Sequence, residues 1–194
     1  MQSYFIPPNN KELLSIMGAK DQGADNITVQ KRWKVVPRTL CFITYQDQLL
    51  LMKRAPHKRV FPNHYNGVGG HIERYEDPIT SAIREIKEET GLDVHNVRYC
   101  GSTHIDAGED NGIMLFIFTA EALQKKIIDS EEGTLHWLPI TEVLRDIRSA
   151  TPQLKLVEDL PILLSLIFED NAIPFFAHVS YDKDDQIIFR LQSP

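Results

Sequence analysis

The chain has 194 residues, which is enough for one domain with a substantial core and little for two independent ones. Its composition of 42% hydrophobic and 25% charged residues is typical of globular proteins and excludes wholesale disorder, while the net charge of -6 argues against broad adhesion to nucleic acid. No apolar run reaches the length of a membrane span and the start lacks a signal-peptide pattern, so we expect a cytoplasmic protein without a membrane partner.

The beginning of the chain has the pattern of an N-terminal extension. Residues 1–34 combine a cluster of structure breakers, one short helical stretch and a turn-rich stretch. After residue 37, two apolar runs separated by a polar turn at residues 46–48 predict two successive strands. Residues 56–76 are rich in proline, asparagine and glycine, and this composition predicts a loop.

The next segment, residues 78–90, is predicted to be a helix because both of its ends are marked. Asp77 is a suitable N-cap, Pro78 suits the first helical position, and Gly91 falls where a helix commonly ends in the left-handed conformation. Helical spacing gives this segment one apolar side, which we expect to face the core. The residues of that side are Ile79, Ala82, Ile83 and Ile86.

Beyond this helix the pattern returns to strands and then to helices. Asn111 and Gly112 form a hairpin-type turn signal between two expected strands. A further strand follows, then a short helix for which Thr141 is a suitable cap, and then an apolar helix. These elements predict an α/β or α+β domain over residues 35–169, with a mixed sheet between helices. Residues 170–194 are expected to add a C-terminal β-hairpin packed on the same domain.

Glutamates of the predicted helix converge on one surface patch. Glu85, Glu88 and Glu89 fall on a single arc, where each like-charged pair costs about 0.2 to 0.5 kcal/mol without structural benefit. Clustered carboxylate oxygens are hard ligands that suit Mg²⁺ or Mn²⁺. The alternative is a solvated helix face on which Arg84 and Lys87 balance the negative charges. The first interpretation predicts a metal site, and the second predicts none.

The glutamates belong to a longer sequence motif, which begins at Gly70 and ends at Leu92, directly after Gly91. The positions that carry it are Gly70, Glu76, Arg84, Glu85, Ile86, Glu88, Glu89, Gly91 and Leu92. Their spacing matches the fixed positions of the Nudix box. The chain therefore resembles the MutT-like Nudix hydrolases, which act on nucleoside diphosphates linked to another moiety. In strand order the resemblance extends more weakly over about residues 37–168.

The resemblance implies a fold and a set of residue roles. The fold is an αβα sandwich with a mixed sheet. The residues that would hold Mg²⁺ or Mn²⁺ are Glu85, Glu88, Glu89 and, through its backbone carbonyl, Gly70. Either Glu88 or Glu89 would take the proton of the attacking water. Arg84 matches an arginine that orients the glutamates, and a guanidinium can indeed hold a carboxylate in one rotamer.

Other residues near the motif receive more specific expectations. Glu76 is a candidate partner for Arg84, and Gly91 is the predicted end of the helix. Glu132 is a candidate additional metal ligand, with an ordinary solvated loop residue as the equal alternative. Tyr75 departs from the pattern, because relatives often have a glycine there that permits positive φ. We therefore expect the turn before the helix to differ locally.

Residues ahead of the motif suggest what the site binds. The segment HYNGVGGH resembles the WNGFGG segment of nucleoside triphosphatases that destroy oxidised purine nucleotides such as 8-oxo-dGTP. Tyr65 takes the aromatic place and Asn66 matches an asparagine that contacts the base, for which an amide has suitable donors and an acceptor. The alternative is that Asn66 and Gly67 only form a turn while Tyr65 packs. Lys53 and Arg54 are candidate contacts for substrate phosphates.

The predicted function is Mg²⁺-dependent hydrolysis of a diphosphate linkage in a nucleoside triphosphate, by attack of water at phosphorus. The expected substrate is a small nucleotide, and an oxidised purine nucleotide such as 8-oxo-dGTP is the preferred candidate. No nucleic-acid partner is expected. Within the same chemistry the alternative is another linked diphosphate, such as ADP-ribose, a dinucleoside polyphosphate or a nucleotide sugar. From a different class, the alternative is a nucleotide-binding sensor without turnover, against which the intact glutamates argue. The oligomeric state is not predicted.

Overall fold

All the strands of the described chain belong to one mixed β-sheet. The computed structural model describes residues 33–128, 130–169 and 174–192. The strands are β1 (Lys34–Tyr45), β2 (Gln48–Arg54), β3 (Tyr65–Asn66), β4 (Val94–Ile105), β5 (Asn111–Ala122), β6 (Gly133–Pro139), β7 (Phe175–Tyr181) and β8 (Ile187–Gln192). The helices are α1 (Pro78–Thr90), α2 (Ile140–Ile147) and α3 (Leu160–Phe168). The predicted N-terminal extension, apart from its last two residues, lies outside the described residues.

The strand order shows why the sheet is mixed. It runs β3-β2-β1-β5-β4-β7-β8, and β6 forms an additional pair with β2. The β1–β5 and β4–β7 pairs are parallel, while the other pairs are antiparallel. The last two strands form an antiparallel pair, and the parallel contact between β7 and β4 joins this pair to the central sheet.

Helices cover both faces of the sheet. Alternate residues of β1 point to opposite sides, as the period of a strand requires. Cys41 and Ile43 are buried in a cluster with α1, whereas Leu40 and Phe42 are buried in a second cluster with α2 and α3. Each large apolar side chain that is fully buried contributes about 1.5 to 3 kcal/mol to folding. The layers confirm the predicted αβα sandwich with a mixed sheet.

Helix α1 has the predicted ends. The carboxylate of Asp77 accepts hydrogen bonds from the backbone N–H groups of Ile79 and Thr80, at 2.9 and 3.0 Å. Gly91 has φ 72°, and its N–H donates to the carbonyl of Lys87. Both caps satisfy backbone groups that have no partner within the helix, which explains why the helix begins and ends where it does.

The prediction for the apolar side of α1 was only partly right. Ala82 and Ile86 are buried, but Ile79 and Ile83 are 48% and 44% exposed. A helical wheel shows which residues share a side, but it does not show how far the helix is rotated about its axis. Here the helix is rotated so that part of its glutamate side approaches the preceding loop, and the two exposed isoleucines lie at the other margin of the buried stripe.

Smaller predictions also differ from the structure. Asn111 and Gly112 are the first residues of β5, so the turn between β4 and β5 lies ahead of them. Thr141 is inside α2, because β6 ends at Pro139 and Pro139 occupies the N-cap position without a side-chain cap.

The cysteines of the described chain form no disulfide. Cys41 is buried and unpaired, as is the other described cysteine. No helix in the described ranges is long and apolar enough to cross a membrane.

Candidate active site

The loop of residues 67–77 joins strand β3 to helix α1 and lies against strand β1. The backbone N–H of Thr39 donates to the carbonyl of Gly70 at 2.9 Å, and that of Cys41 donates to the carbonyl of Val68 at 2.7 Å. These bonds hold residues 68–72 against the side of β1. The loop is therefore ordered by strand-like hydrogen bonding rather than by its own side chains.

Two glycines allow this loop to fit. A Cβ atom on Gly69, whose φ is +154°, would lie 2.2 Å from the carbonyl oxygen of Thr39. A Cβ atom on Gly70 would lie 2.5 Å from the carboxylate of Glu85. Gly69 must lack a side chain because the backbone oxygen of Thr39 cannot move away, whereas a side chain at Gly70 would displace the carboxylate of Glu85. The close contact places the backbone of Gly70 directly beside the first glutamate of the predicted metal site.

Arg84 is the hub of the glutamate cluster. Its Nε and one terminal nitrogen donate to the two oxygens of Glu76 at 2.6 and 2.9 Å. The other terminal nitrogen donates to Glu85 at 2.8 Å and to Glu88 at 2.9 Å. A further bond of 3.0 Å reaches the backbone carbonyl of His71 in the loop. One rigid guanidinium thus joins the loop to three carboxylates.

The electrostatics of this network follow from the hydrogen bonds. The bonds from Arg84 are the main reason that the pKa of Glu76 falls to about 2. The pKa of Arg84 is raised, first by its bonds to Glu76 and then by those to Glu85 and Glu88. Glu76 and Arg84 are therefore both charged across the physiological pH range. Arg84 and Glu76 lie together as the sequence predicted, with Glu76 fixing the guanidinium that in turn holds the other carboxylates.

Glu89 has a different environment from its neighbours. One of its oxygens accepts a hydrogen bond from the backbone N–H of Gly69 at 3.1 Å. Burial nevertheless raises the pKa of Glu89 from its usual 4.5 to about 7, and the negative charges of Glu85 and Glu132 add to this effect. The hydrogen bond from Gly69 and the positive charge of Arg54 oppose the rise. A buried carboxylate among like charges is costly unless a proton or a cation compensates it.

Glu132 lies at the start of β6 and close enough to act on Glu89 electrostatically. Its carboxylate forms an ion pair with Lys58 at 2.6 Å, and its backbone carbonyl accepts a bond from Ala55 at 2.9 Å. The structure thus brings Glu132 to the same side of the molecule as α1. In this arrangement Lys58, rather than a metal ligand set, is its partner.

The carboxylates of α1 suit a divalent cation in their chemistry more than in their present positions. In the described parts of the chain, no three His, Cys, Asp or Glu side chains stand in positions that would hold a metal ion directly. The reason lies in the rotamers, because Glu85 and Glu88 both point at Arg84. The chemistry fits, since the partly buried Glu89 lies among like charges, Glu85 lies against the backbone of Gly70, and carboxylate and carbonyl oxygens are hard donors. The residues that would hold the ion are Glu85, Glu88, Glu89 and the carbonyl of Gly70.

Residues predicted to contact substrate do not all converge. Lys53 of β2 lies opposite Tyr65 of β3 in the strand register, and its ammonium group lies 5.9 Å from the centre of the Tyr65 ring. Asn66 pairs with Met52 instead, so it points to the other face of the sheet. The amide oxygen of Asn66 accepts a bond from the N–H of Gly67 at 2.9 Å. Tyr65 and Asn66 therefore point to opposite faces of the sheet, and the structure does not bring their side chains together.

The remaining predicted residues are easily placed. Nε of Arg54 donates to the carbonyl of Val60 at 2.9 Å, and the charge of Arg54 acts on Glu89, which sets it near the carboxylate cluster. Tyr75 is 91% exposed and is not among the residues with positive φ. The turn before α1 therefore has a conformation that does not require glycine at this position.

One candidate residue was missed by the sequence analysis. Arg38 lies in β1, in a backbone bridge with His71 of the loop. Its side chain shares a face of the strand with the buried Leu40 and Phe42. The signal available in the sequence was a cation directly ahead of the apolar part of the strand.

The environment of Glu89 predicts an unusual stability profile. Because its pKa in the folded protein lies above the usual 4.5, the folded state binds the proton more tightly than the unfolded chain does. The free energy of unfolding of the metal-free protein should therefore rise as the pH falls from about 7 towards about 4.5 through this group. Glu89→Gln should add about 1 to 2 kcal/mol near pH 8 in the presence of a chelator.

Urea unfolding of both proteins at about pH 8 and about pH 5 checks this. The gain from Glu89→Gln should be largely absent at the lower pH, where Glu89 is already protonated. A variant that is less stable than the parent near pH 8 would show that the carboxylate is well compensated in the free protein.

Comparison with known proteins agrees with this geometry. The family model described as NUDIX domain matches residues 34–160, which is more than half of the chain. The match includes the loop, all of α1 and the strands on either side. The chain belongs to the NUDIX domain family.

Individual relatives cover less of the molecule. The NAD-capped RNA hydrolase NudC of Pseudomonas aeruginosa is 28% identical over 99 residues, covering 51% of this chain and 34% of the relative. The m7GpppN-mRNA hydrolase NUDT17 of Danio rerio is 42% identical over 54 residues, covering 28% of this chain and 18% of the relative. The chain thus matches about a third or less of these proteins' length.

A solved structure supports the fold over most of the chain. The mutator MutT protein of Bacillus halodurans superposes with a TM-score of 0.67, covering 82% of this chain and 99% of that protein, at 23% identity. At this identity the likeness concerns the fold, and it agrees with the mixed sheet and its helical layers.

Proposed function

We propose that this protein hydrolyses a diphosphate linkage in a nucleotide, in a reaction that depends on Mg²⁺ or Mn²⁺. The observation that carries the proposal is the cluster of Glu85, Glu88 and Glu89, in which Arg84 bonds the first two glutamates and the backbone next to Gly70 bonds the third. Such a cluster of carboxylates has no structural benefit for the helix. It is suited to a cation, and through the cation to a phosphate chain.

The roles of the residues follow from the difficulty of the reaction. A diphosphate resists attack by water because its oxygens are already negative. When bound, a divalent cation supplies neutralisation of this charge and a more acidic water. Arg84 keeps Glu85 and Glu88 in fixed positions, which lowers the cost of ordering them during catalysis. Glu88 and Glu89 are the candidate acceptors for the proton of water, and Glu88, with its side chain 59% exposed, is open to solvent.

For the substrate, our preference is a nucleoside triphosphate with an oxidised purine, such as 8-oxo-dGTP. It is supported by Tyr65 and Asn66 in the segment ahead of the loop and by Lys53 beside the Tyr65 ring. The specific alternative is a dinucleotide-like substrate with a linked diphosphate. It is supported by the relatives, whose names refer to the hydrolysis of NAD-capped RNA and of an mRNA cap. ADP-ribose, dinucleoside polyphosphates and nucleotide sugars belong to the same alternative.

One substrate panel tests the proposal and separates these classes. The purified chain is incubated with 8-oxo-dGTP, dGTP, ADP-ribose, NAD⁺, a dinucleoside polyphosphate and a nucleotide sugar, with Mg²⁺ or with a chelator, and products are separated by chromatography. We expect turnover only with the cation and fastest with 8-oxo-dGTP. Fast turnover of ADP-ribose or NAD⁺ without turnover of 8-oxo-dGTP would replace the preferred substrate. Binding without any turnover would identify a nucleotide-binding sensor.

Asn66→Ala tests whether this residue reads the base. The amide offers hydrogen bonds to a purine edge that alanine lacks. We expect the ratio of kcat/KM for 8-oxo-dGTP to that for dGTP to change by about 10-fold, while the Mg²⁺ concentration for half-maximal activity is unchanged. Steady-state kinetics on both nucleotides measure this. An equal loss on all substrates would indicate that Asn66 only supports the turn through its bond to Gly67.

A further inference from the structure

An open cavity of about 360 Å³, which we call the β7–β8 cavity, lies in the outer part of the sheet. Three strand spacings, or about 14 Å, separate β7 from β1, because β5 and β4 lie between them. The loop beside the carboxylate cluster bonds to β1, so the cavity is separate from the candidate active site. Its lining residues come from β4, β7 and β8, and they are His104, Phe176, Ala177, His178, Arg190 and Gln192.

The strand register arranges most of the lining side chains in two rows. In the first row, His104 of β4 lies opposite His178 of β7, which in turn lies opposite Arg190 of β8. In the second row, Phe176 lies opposite Gln192. The rows are two residues apart along β7, so they share a face of the sheet and are separated by about 7 Å.

The fold alone does not account for three of these side chains. Phe176 is a large aromatic residue in a regular strand, yet it is 49% exposed. Nδ1 of His178 is shielded from solvent and has no hydrogen-bond partner within the described residues. The guanidinium of Arg190 has no ion pair or hydrogen bond with any part of the chain that the structure describes. A shielded polar atom without a partner costs free energy, and an aromatic wall with a few polar groups is characteristic of ligand sites.

The charges around the cavity favour an acidic ligand. No carboxylate is among the lining residues, although the chain as a whole has a net charge of -6. The first row instead supplies the guanidinium of Arg190 and two imidazoles, and the rings of His104 and His178 meet edge to face with their centres 6.0 Å apart. A guanidinium binds phosphate or carboxylate through paired, charge-assisted hydrogen bonds. The exposed ring of Phe176 in the second row offers a surface for a flat aromatic group.

We propose that the β7–β8 cavity is a second ligand site, which binds a small molecule with a flat aromatic ring and one acidic group, such as a nucleoside monophosphate. The acidic group would accept hydrogen bonds from Arg190 and His178, while the ring would stack on Phe176 and meet the amide of Gln192 at its edge. One such molecule spans the distance between the rows, and a volume of about 360 Å³ is within the range of small-molecule sites. Such a site goes beyond the proposed function and does not depend on it.

The probes are adenosine monophosphate, adenosine, which lacks the acidic group, and inorganic phosphate, which lacks the ring. A chelator in the calorimetry removes binding that depends on a divalent cation. We expect adenosine monophosphate to bind at least about 10-fold more tightly than either fragment, because only the whole molecule contacts both rows. The amide NMR signals that shift on binding should belong to β4, β7 and β8 rather than to the loop of residues 67–77.

Arg190→Met and Phe176→Leu test the two rows separately. Each change should weaken the binding of adenosine monophosphate by about 10-fold. Arg190→Met should leave adenosine binding unchanged, and Phe176→Leu, which keeps an apolar side chain, should leave phosphate binding unchanged. Arg145→Met is the matched control, since Arg145 is an exposed arginine on α2, and it should bind all three probes as the parent does. Circular dichroism compares the folds.

Asn66→Ala separates the cavity from the candidate active site. Binding of adenosine monophosphate that is lost in Asn66→Ala but retained in both cavity variants would overturn the inference. The absence of binding to the parent at about 10 mM would overturn it as well.

The outcome is distinguishable from the fate of the proposed function. A parent protein that hydrolyses no member of the substrate panel, yet binds adenosine monophosphate through Arg190 and Phe176, would contradict the proposed function and support the cavity site. A parent that hydrolyses a nucleotide, but whose affinity for adenosine monophosphate is the same in both cavity variants, would support the function and contradict the site.

Discussion

Glu89→Gln should lower kcat by about 100-fold to 10,000-fold while leaving the fold intact. Glutamine is close to glutamate in shape and can still accept the bond from the backbone N–H of Gly69. It cannot carry the negative charge that would hold a cation, and it cannot take a proton from water. The change therefore removes chemistry from the site without removing packing.

The measurement is steady-state hydrolysis of the best substrate of the panel, with circular dichroism to compare the folds. Glu142→Gln provides the matched control, because Glu142 is an exposed glutamate on α2 outside the cluster, and it should keep the activity of the parent. Activity of Glu89→Gln within about 3-fold of the parent would be inconsistent with this group as ligand or base. The expected pairing of a lost rate with a gain in metal-free stability is characteristic of a residue retained for function.

The sequence was sufficient to predict the ends of α1 and the grouping of its glutamates, because the relevant signals are local. Asp77 and Gly91 mark the helix ends, and helical spacing alone brings the three glutamates together. The rotation of the helix was not predictable, since Ile79 and Ile83 become exposed only when the helix meets a particular sheet and loop. Local periodicity specifies a common side, and tertiary packing selects which part of it is buried.

The arrangement of the residues expected to contact substrate could not be predicted from the sequence, and the reason is physical. Whether Tyr65 and Asn66 face one ligand depends on the pairing register of a two-residue strand, which no periodic pattern specifies. The electrostatic environment of Arg38 depends on which charges approach it from other strands and loops. The ion pair between Lys58 and Glu132 likewise joins residues far apart in the chain. Such features are properties of the folded surface.

Arg84→Lys should have the second large effect, because a single guanidinium joins three carboxylates to the loop. Lysine keeps the charge but cannot donate at once to Glu76, to Glu85 and Glu88, and to the loop carbonyl of His71. We expect a loss of about 2 to 3 kcal/mol in the free energy of unfolding. We also expect activity to fall by about 100-fold or more, with a higher Mg²⁺ concentration needed for half-maximal rate.

A double-mutant cycle with Glu76 tests the mechanism behind this expectation. Glu76 contacts Arg84 through both oxygens at 2.6 and 2.9 Å, so Glu76→Gln should weaken the same network from its outer end. The effects of Glu76→Gln and Arg84→Lys on rate and stability should be strongly non-additive, whereas Arg145→Lys on the exposed side of α2 should add independently. Additive effects of the first pair would mean that Glu76 does not act through Arg84. Non-additivity would show that the glutamates are held in place by one shared arginine, whose own position depends on Glu76.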